Sequence, residues 1–339
     1  MHATLPALVA LLLASGAAQA QTLSATPSVT AKGETQPVGT ANDDAADDPA
    51  IWRNPADPSA SLIVATDKKA GLYVYGLDGK PRHFVAAGRL NNVDLVDLGT
   101  RGVIVAASDR NDREAAQLKL YRLDTATGQL SELGSVGGGA GEAYGVCLYD
   151  AGRALYAFSV LKQGVIHQVR IDLSGDAPTG TIVRSMARPS QTEGCVVDPR
   201  SASLFVGEED VGIWRFSARE GARLEGKLVA AVDGKQLFAD VEGLALMPVG
   251  RKAYLIASSQ GDNAYALYAL PGLKPAGRFR IAQGKFGSTE ETDGIAVAPG
   301  SFGPDYPDGL FVAQDGMNAP AAQNFKLVSW ADIARLLDR

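Results

Sequence analysis

The amino-acid sequence predicts an all-β fold, a six-bladed β-propeller with about four antiparallel strands in each blade. A strand-like segment recurs six times, with gaps of 46, 50, 49, 49 and 51 residues. A period of about fifty residues, filled with short strands, is typical of one propeller blade per repeat. The chain also has 38 glycines among 339 residues and few helix-length periodic stretches. Both features favour a turn-rich all-β architecture.

The first predicted strand of each repeat carries a polar residue at or near its start. These strands read "DDPAIW", "NVDLVDL", "AYGVCLY", "TEGCVVD", "VEGLAL" and "TDGIAV". Their leading polar residues are Asp48, Asp94, Tyr144, Glu193, Glu242 and Asp293. Second and third strands follow in every repeat, for example "SLIVATD" and "GLYVYGLD" in the first. The alternation of apolar and polar residues, broken at Gly, Asp, Asn or Pro, supports strands rather than helices.

The fourth strands are weaker in pattern, as expected of outer edge strands, and the sixth repeat lacks one. An unmatched strand-like stretch, "SVTAKGETQPV" (Ser28–Val38), precedes the first repeat. We expect this N-terminal strand to complete the last blade and close the ring, which removes an exposed edge. The chain ends in "ADIARLLDR", a short predicted helix. Residues 28–339 are therefore predicted to be a single propeller domain.

The N-terminus resembles an export signal. Residues 1–20 contain a short apolar stretch followed by Ala18-Gln19-Ala20, the pattern of a signal peptide and its cleavage site. Residues 21–27 are expected to form a flexible mature N-terminus. No later segment is long enough to span a bilayer. We therefore expect an exported protein, secreted or periplasmic, that does not insert into the membrane.

Charge and cysteine content limit the partners and the chemistry. The net charge is −6 and no basic stripe is present, which argues against a nucleic-acid partner. We also expect the protein to be a monomer. The two cysteines, Cys147 and Cys195, lie in apolar strand-like runs. A disulfide remains open in a compartment that permits one, but isolated buried cysteines are common, so unbonded buried thiols are the preferred interpretation.

The propeller topology brings many of the polar residues to one end of the central channel, called the mouth below. First strands line the channel and run in one direction, while second strands return to the mouth. Single carboxylates at strand ends are often turn formers, but their recurrence in five of six repeats indicates a shared role. Crowded oxygen ligands without histidine favour Ca²⁺ over a transition metal. The basic residues at the same end suggest an anionic ligand, with phosphate the natural candidate.

The sequence resembles the β-propeller phytases over residues 34–330, nearly the whole mature chain. The motifs that carry the resemblance occur in the family's order: "DDPAIW", "TDKKAGLYVY", "LNNVDLV", "QTEG", "EEDVGIW", "DVEGL", "SSQG", "DGLFVAQDG" and "QNFKLV". The resemblance implies a calcium-dependent 3-phytase, which hydrolyses phosphate monoesters of phytate by a metal-activated water. It implies several Ca²⁺ ions, structural and catalytic, and phytate or calcium phytate as substrate.

The resemblance also implies roles for individual residues. Calcium ligands would be Glu34, Asp47, Asp48, Glu193, Glu209, Asp240, Glu242 and Asp293. Of these, the ones expected to act in catalysis are Glu193, Glu209, Glu242, Asp48 and Asp293. Phosphate oxygens would be bound by Lys68, Lys69, Arg110, Tyr144 and Lys162. A more structural calcium cluster would involve Asp315, Asn318 and the backbone near Val93.

Three departures from the family pattern concern the metal sites. Met317 and Gln163 stand where relatives often have acids, and "GKFGSTEETDG" is shorter and less acidic than its counterparts. Two other functions stay open: a propeller lactonase or esterase with a single central calcium, and a non-catalytic binding propeller that calcium stabilises. A lactonase has no use for the Lys68, Lys69, Arg110 and Lys162 group, which argues against the first.

Overall fold

The computed structural model describes residues 26–41 and 44–337. Within these ranges it contains six β-sheets, several short 3-10 turns and one α-helix. The strands of the N-terminal segment are β1 (Ser28–Thr30) and β2 (Gly33–Glu34). Those of blades one to three are β3 (Ala46–Trp52), β4 (Leu62–Asp67), β5 (Gly71–Gly76), β6 (Pro81–Ala86); β7 (Leu90–Asp97), β8 (Val103–Asp109), β9 (Ala115–Leu123), β10 (Leu130–Ala140); β11 (Ala143–Asp150), β12 (Leu155–Leu161), β13 (Val165–Asp172), β14 (Thr179–Ala187).

Blades four to six continue the pattern, and the chain ends in helix α1. Their strands are β15 (Thr192–Asp198), β16 (Ser203–Glu208), β17 (Gly212–Ser217), β18 (Lys227–Ala231); β19 (Val241–Val249), β20 (Lys252–Ser259), β21 (Ala264–Leu270), β22 (Lys274–Ala282); β23 (Ile295–Pro299), β24 (Gly309–Asp315), β25 (Asn324–Ser329). Helix α1 covers Trp330–Leu337. The six-bladed propeller of four antiparallel strands per blade, and the terminal helix, are confirmed.

The stretch Ser28–Val38 contains two short strands in different blades. β1 pairs in parallel with β22 of blade five, whereas β2 pairs antiparallel with β25 of blade six. Sheet six therefore has the order β2-β25-β24-β23.

The apolar core lies between the faces of neighbouring blades. Second strands such as β4 and β12 are buried at every position, whereas the outer strand β6 is largely exposed. Between blades two and three, Leu118 of β9 packs in one cluster with Leu155 of β12. Each such side chain contributes about 1.5–3 kcal/mol when fully buried.

A β-bulge interrupts the start of five inner strands. The register shifts at Ala46/Pro49, Leu90/Val93, Ala143/Gly145, Thr192/Cys195 and Val241/Leu244. The backbones of successive blades approach closely at this level. A β-carbon at Gly145 would collide with the carbonyl oxygen of Glu193, and one at Gly194 with that of Glu242. Glycine at these positions is therefore a packing requirement of the narrow ring.

The two cysteines form a disulfide, so the preference for unbonded thiols was wrong. Cys147 of β11 and Cys195 of β15 are bonded with a Cα–Cα distance of 5.8 Å. They lie on inner strands of neighbouring blades, which run side by side around the channel. This proximity between repeats brings together two cysteines that are 48 residues apart in sequence.

The predicted signal peptide and residues 21–25 of the predicted flexible N-terminus lie outside the described residues, and these assignments stay predictions. In the part of the chain that the structure describes, no helix is long and apolar enough to cross a bilayer.

Candidate active site

A ring of six side chains surrounds the mouth, one from each blade. Because of the bulges, the residues that occupy equivalent places are Asp47, Asn91, Tyr144, Glu193, Glu242 and Asp293. The sequence alignment had used Asp48 and Asp94 for the first two blades, a shift of one and three residues. The signal that would have found the correct register is the polar residue directly before Gly145, Gly194, Gly243 and Gly294, matched by "DD" and "NN" in blades one and two.

The ring opens into a cavity of about 1020 Å³, called the mouth cavity below. One part of its wall carries carboxylates from three blades: Glu193, Glu209, Asp240, Glu242 and Asp293. Another part of the wall is the weakly polar segment 316–323, which includes Met317.

Three carboxylates in this cavity form a tight group. Oxygen atoms of Glu193, Glu209 and Glu242 all lie within 4.8 Å of one another. Glu193 and Glu242 are buried, and Glu209 is half-buried. Burial is the main cause that raises the pKa of Glu193 and of Glu209 to about 7. Burial, followed by the charge of Glu193, raises the pKa of Glu242 well above its ordinary value. The three groups therefore ionise together only with difficulty unless a cation lies between them.

Lys68 supplies one such charge on the side of blades one and six. Its Nζ lies 2.7 Å from Asp293 Oδ2, 2.8 Å from Asp44 Oδ2 and 3.3 Å from Asp47 Oδ1. Burial alone would lower the pKa of this lysine, but the carboxylates outweigh it and raise the pKa. Desolvation still raises the pKa of Asp47 to about 6 and that of Asp293 to about 8.

Two buried carboxylate oxygens of the ring lack a hydrogen-bond partner among the described residues, namely Asp47 Oδ2 and Glu242 Oε2. An unpaired buried carboxylate oxygen is costly. Oxygen-only donors in an irregular group are the ligand set that Ca²⁺ prefers. The acidic group therefore fits a hard divalent cation.

Three of the predicted phosphate-binding residues, Arg110, Tyr144 and Lys162, form a basic edge at blades two and three, whereas Lys68 and Lys69 lie in blade one. Arg110 and Lys162 both lie over the ring of Tyr144, with Cζ and Nζ at 5.6 Å and 5.0 Å from its centroid. Arg110 also lies 3.6 Å from Glu142. Tyr144 and Lys68 line the mouth cavity, and Lys69 is exposed beside Lys68.

Some predicted metal ligands lie below the mouth cavity. Asp48 lines a second cavity of about 360 Å³ in the central channel, together with Val93 and Asp94. The Val93 N–H donates to Asp48 Oδ2 at 3.1 Å. The structure thus places Val93 beside Asp48, and its predicted share in a structural calcium cluster with Asp315 and Asn318 stays a prediction.

The other predicted structural calcium ligands surround a lysine. Lys326 is fully buried. Its Nζ lies 2.6 Å from Glu34 Oε2 and 3.1 Å from Asp315 Oδ2. It donates at 3.0 Å to the amide oxygens of Asn318 and Asn324. The chain's own ammonium group therefore supplies positive charge among these oxygens, and the assignment of Asp315 and Asn318 to a structural calcium cluster stays a prediction.

Comparisons with known proteins show the family to which this site belongs. A sequence model of the family described as Phytase matches residues 2–339. The chain belongs to the phytase family. It is 42% identical over 328 residues to the "3-phytase" of Bacillus subtilis (strain 168), covering 91% of this chain and 85% of that one. The resemblance found in the motifs, and the prediction of a phytase hydrolase, are confirmed.

Solved structures that are similar to this phytase-family chain support the fold alone. The PQQ-bound aldose sugar dehydrogenase of Streptomyces coelicolor superimposes with a TM-score of 0.54 at 12% identity, covering 88% of this chain and 97% of that one. A chain of the mitotic checkpoint complex gives a TM-score of 0.52 at 11% identity, covering 96% and 99%.

Proposed function

We propose that this protein hydrolyses phosphate monoesters of phytate in a calcium-dependent reaction at the mouth cavity. The observation that carries the proposal is the group of Glu193, Glu209 and Glu242, whose oxygens lie within 4.8 Å of one another. Glu242 Oε2 belongs to this group, is buried and has no hydrogen-bond partner among the described residues. Such an oxygen needs a cation or a proton. Membership of the phytase family supports the reaction and the substrate.

Calcium bound to these carboxylates would supply positive charge that lowers the pKa of an attacking water and neutralises the phosphoryl oxygens. Glu193, Glu209 and Glu242 would hold it, with Asp240 and Asp293 nearby on the same wall. Phosphoryl transfer requires little covalent participation by the protein, so positioning and charge carry most of the rate enhancement.

The basic residues would bind the substrate. Arg110 and Lys162 are held over Tyr144 rather than in the acidic group, and they therefore remain near enough to the cavity to bind a second phosphate of the same substrate. Lys68 lies inside the acidic wall, where its ammonium would face a phosphate drawn toward the calcium that the carboxylates would hold. A polyphosphorylated ring can contact both places at once.

The experiment that tests the proposal measures phosphate release from phytate with calcium and with a chelator. We expect wild-type turnover to require calcium, and Glu242→Gln to lower it at least about 100-fold, a loss typical of removing one electrostatic stabiliser. Glu225→Gln changes an exposed acid on the outer part of blade four and serves as the control. Turnover that survives the chelator, or that Glu242→Gln leaves intact, would refute the proposal. Calcium binding without turnover would instead favour a binding protein.

A further inference from the structure

Three carboxylates of the mouth each accept a short hydrogen bond from a side-chain amide. Gln191 Nε2 donates to Glu209 Oε1 at 2.6 Å. Gln260 Nε2 donates to Asp293 Oδ1 at 2.7 Å, and Asn91 Nδ2 donates to Glu193 Oε1 at 2.7 Å. The three amides come from different blades, and two of the bonds cross from one blade to another. None of these amides was predicted as a site residue, although Gln191 and Gln260 stand in the motifs "QTEG" and "SSQGD".

Gln191 is itself held in place by the backbone of blade four. The Glu209 N–H donates to the Gln191 carbonyl at 3.1 Å. The preceding residue, Ser190, donates through its N–H and its hydroxyl to Glu208 Oε1, at 3.1 Å and 2.5 Å. Glu208 is fully buried and also accepts from Trp214 Nε1 at 2.7 Å. The donor is thus fixed before any ligand binds.

An amide is suited to this role because it is neutral. It fixes the direction of a carboxylate through one oxygen and leaves the second oxygen for another partner. A lysine in the same place would add a positive charge that competes with a bound cation. The distinction is visible at Asp293, where Gln260 holds Oδ1 and Lys68 contacts Oδ2.

Glu209 is the clearest case. Its Oε1 is held by Gln191, and the same Nε2 lies 3.4 Å from the hydroxyl of Tyr144 in the neighbouring blade. Glu209 is half-buried and begins the turn after β16. Without the amide, its side chain would be free to turn toward solvent and away from Glu193 and Glu242.

We propose that Gln191 and Asn91 are positioning residues that each orient one carboxylate, Glu209 and Glu193, so that its second oxygen faces the place where calcium would bind, whereas Gln260 holds Asp293 with its second oxygen on Lys68. The inference rests on the proposed function, since it assigns a purpose to the same carboxylates. Replacing a residue that orients a metal ligand typically changes metal affinity about 10–100-fold.

The test compares Gln191→Met and Asn91→Leu, which keep the approximate size of the side chain and remove the donor. Gln129→Met, at an exposed turn between β9 and β10, is the matched control. Calorimetric titration with CaCl₂ gives the dissociation constant, and a thermal melt in chelator gives the stability of the metal-free protein. We expect the dissociation constant to rise about 10–100-fold in both variants, with melting temperatures within about 3 °C of wild type and no change in Gln129→Met.

The outcomes separate the two proposals. If wild type binds calcium and releases phosphate but neither variant changes the dissociation constant, the positioning role is overturned and the proposed function stands. An equal rise of the calcium dissociation constant in Gln129→Met would also overturn the positioning role, because the effect would not be specific to the amides that donate to the mouth carboxylates. If wild type neither binds calcium nor hydrolyses phytate, the proposed function fails first. Should Gln191→Met fail to fold, Asn91→Leu decides, since Asn91 lies in another blade.

Discussion

The buried Lys326 allows a quantitative prediction about stability. Its ammonium is fully buried and has four oxygen partners, two of them carboxylate oxygens of Glu34 and Asp315. Lys326→Met preserves much of the apolar stem and removes the charge. Asp315 is only 3% exposed, so its carboxylate would then be buried without its cation.

The expected loss follows from this burial. Removing one partner of a buried ion pair costs about 3–5 kcal/mol because the other charge remains desolvated. For a domain of this size, that loss corresponds to a decrease in melting temperature of about 5–8 °C. Replacing both charges in Lys326→Met/Asp315→Asn should recover much of the loss, since no buried carboxylate is then left without its cation, and the Glu34 side chain, which is 34% exposed, can be solvated.

Urea and thermal unfolding, all in chelator, measure the three proteins. Chelator keeps metal binding at the mouth cavity from contributing to the comparison. The coupling between Lys326 and Asp315 is then the difference between the double variant and the sum of the single ones. A loss below about 1 kcal/mol in Lys326→Met, the range of exposed ion pairs, would refute the reasoning.

The remaining predictions concern the ring and its pH response. Reducing the Cys147–Cys195 bond should lower the free energy of unfolding by about 4 kcal/mol, from the loop entropy of a 48-residue separation. Urea titrations with and without reductant measure this loss. The stability of the Cys147→Ala/Cys195→Ala variant should be the same in both. Gly194→Ala should lower the free energy of unfolding by about 1–3 kcal/mol or more through overpacking. Gly137→Ala, with no atom within 4 Å of the new carbon, should not lower it in this way. Equal melting temperatures of the two variants would contradict the prediction. Burial lowers the pKa of His167, so the folded state binds fewer protons than the unfolded chain and loses stability as pH falls through about 6.5. His167→Gln should therefore lose less stability than wild type between about pH 7.5 and about pH 5. An identical loss for both proteins in urea titrations would count against this prediction.

The fold was predictable because a repeat of about fifty residues is a strong signal that depends on no single position. The register of the ring was harder. A β-bulge adds one residue to a strand, and alternation of period two does not reveal where that residue enters. The alignment therefore chose Asp48 and Asp94, where the structure has Asp47 and Asn91.

Contacts between repeats were beyond the reach of the sequence pattern. The disulfide depends on two inner strands being neighbours at the same level, and Lys326 enters the sequence analysis only within the motif "QNFKLV". Neutral donors such as Gln191 carry no charge that singles them out, and glutamine at a strand end is usually solvated. Carboxylates were found because their repetition around the ring made them conspicuous as a group.

The ring at the mouth takes one side chain from each blade, and its dimensions follow from how many blades surround the axis. Insertions into the peripheral hairpins can lengthen or decorate the outer rim without altering the separation of the innermost groups. Gaining or losing a whole repeat would change every one of those separations at once. Natural variation in this architecture is therefore expected to accumulate at the perimeter, while the number of repeats stays fixed.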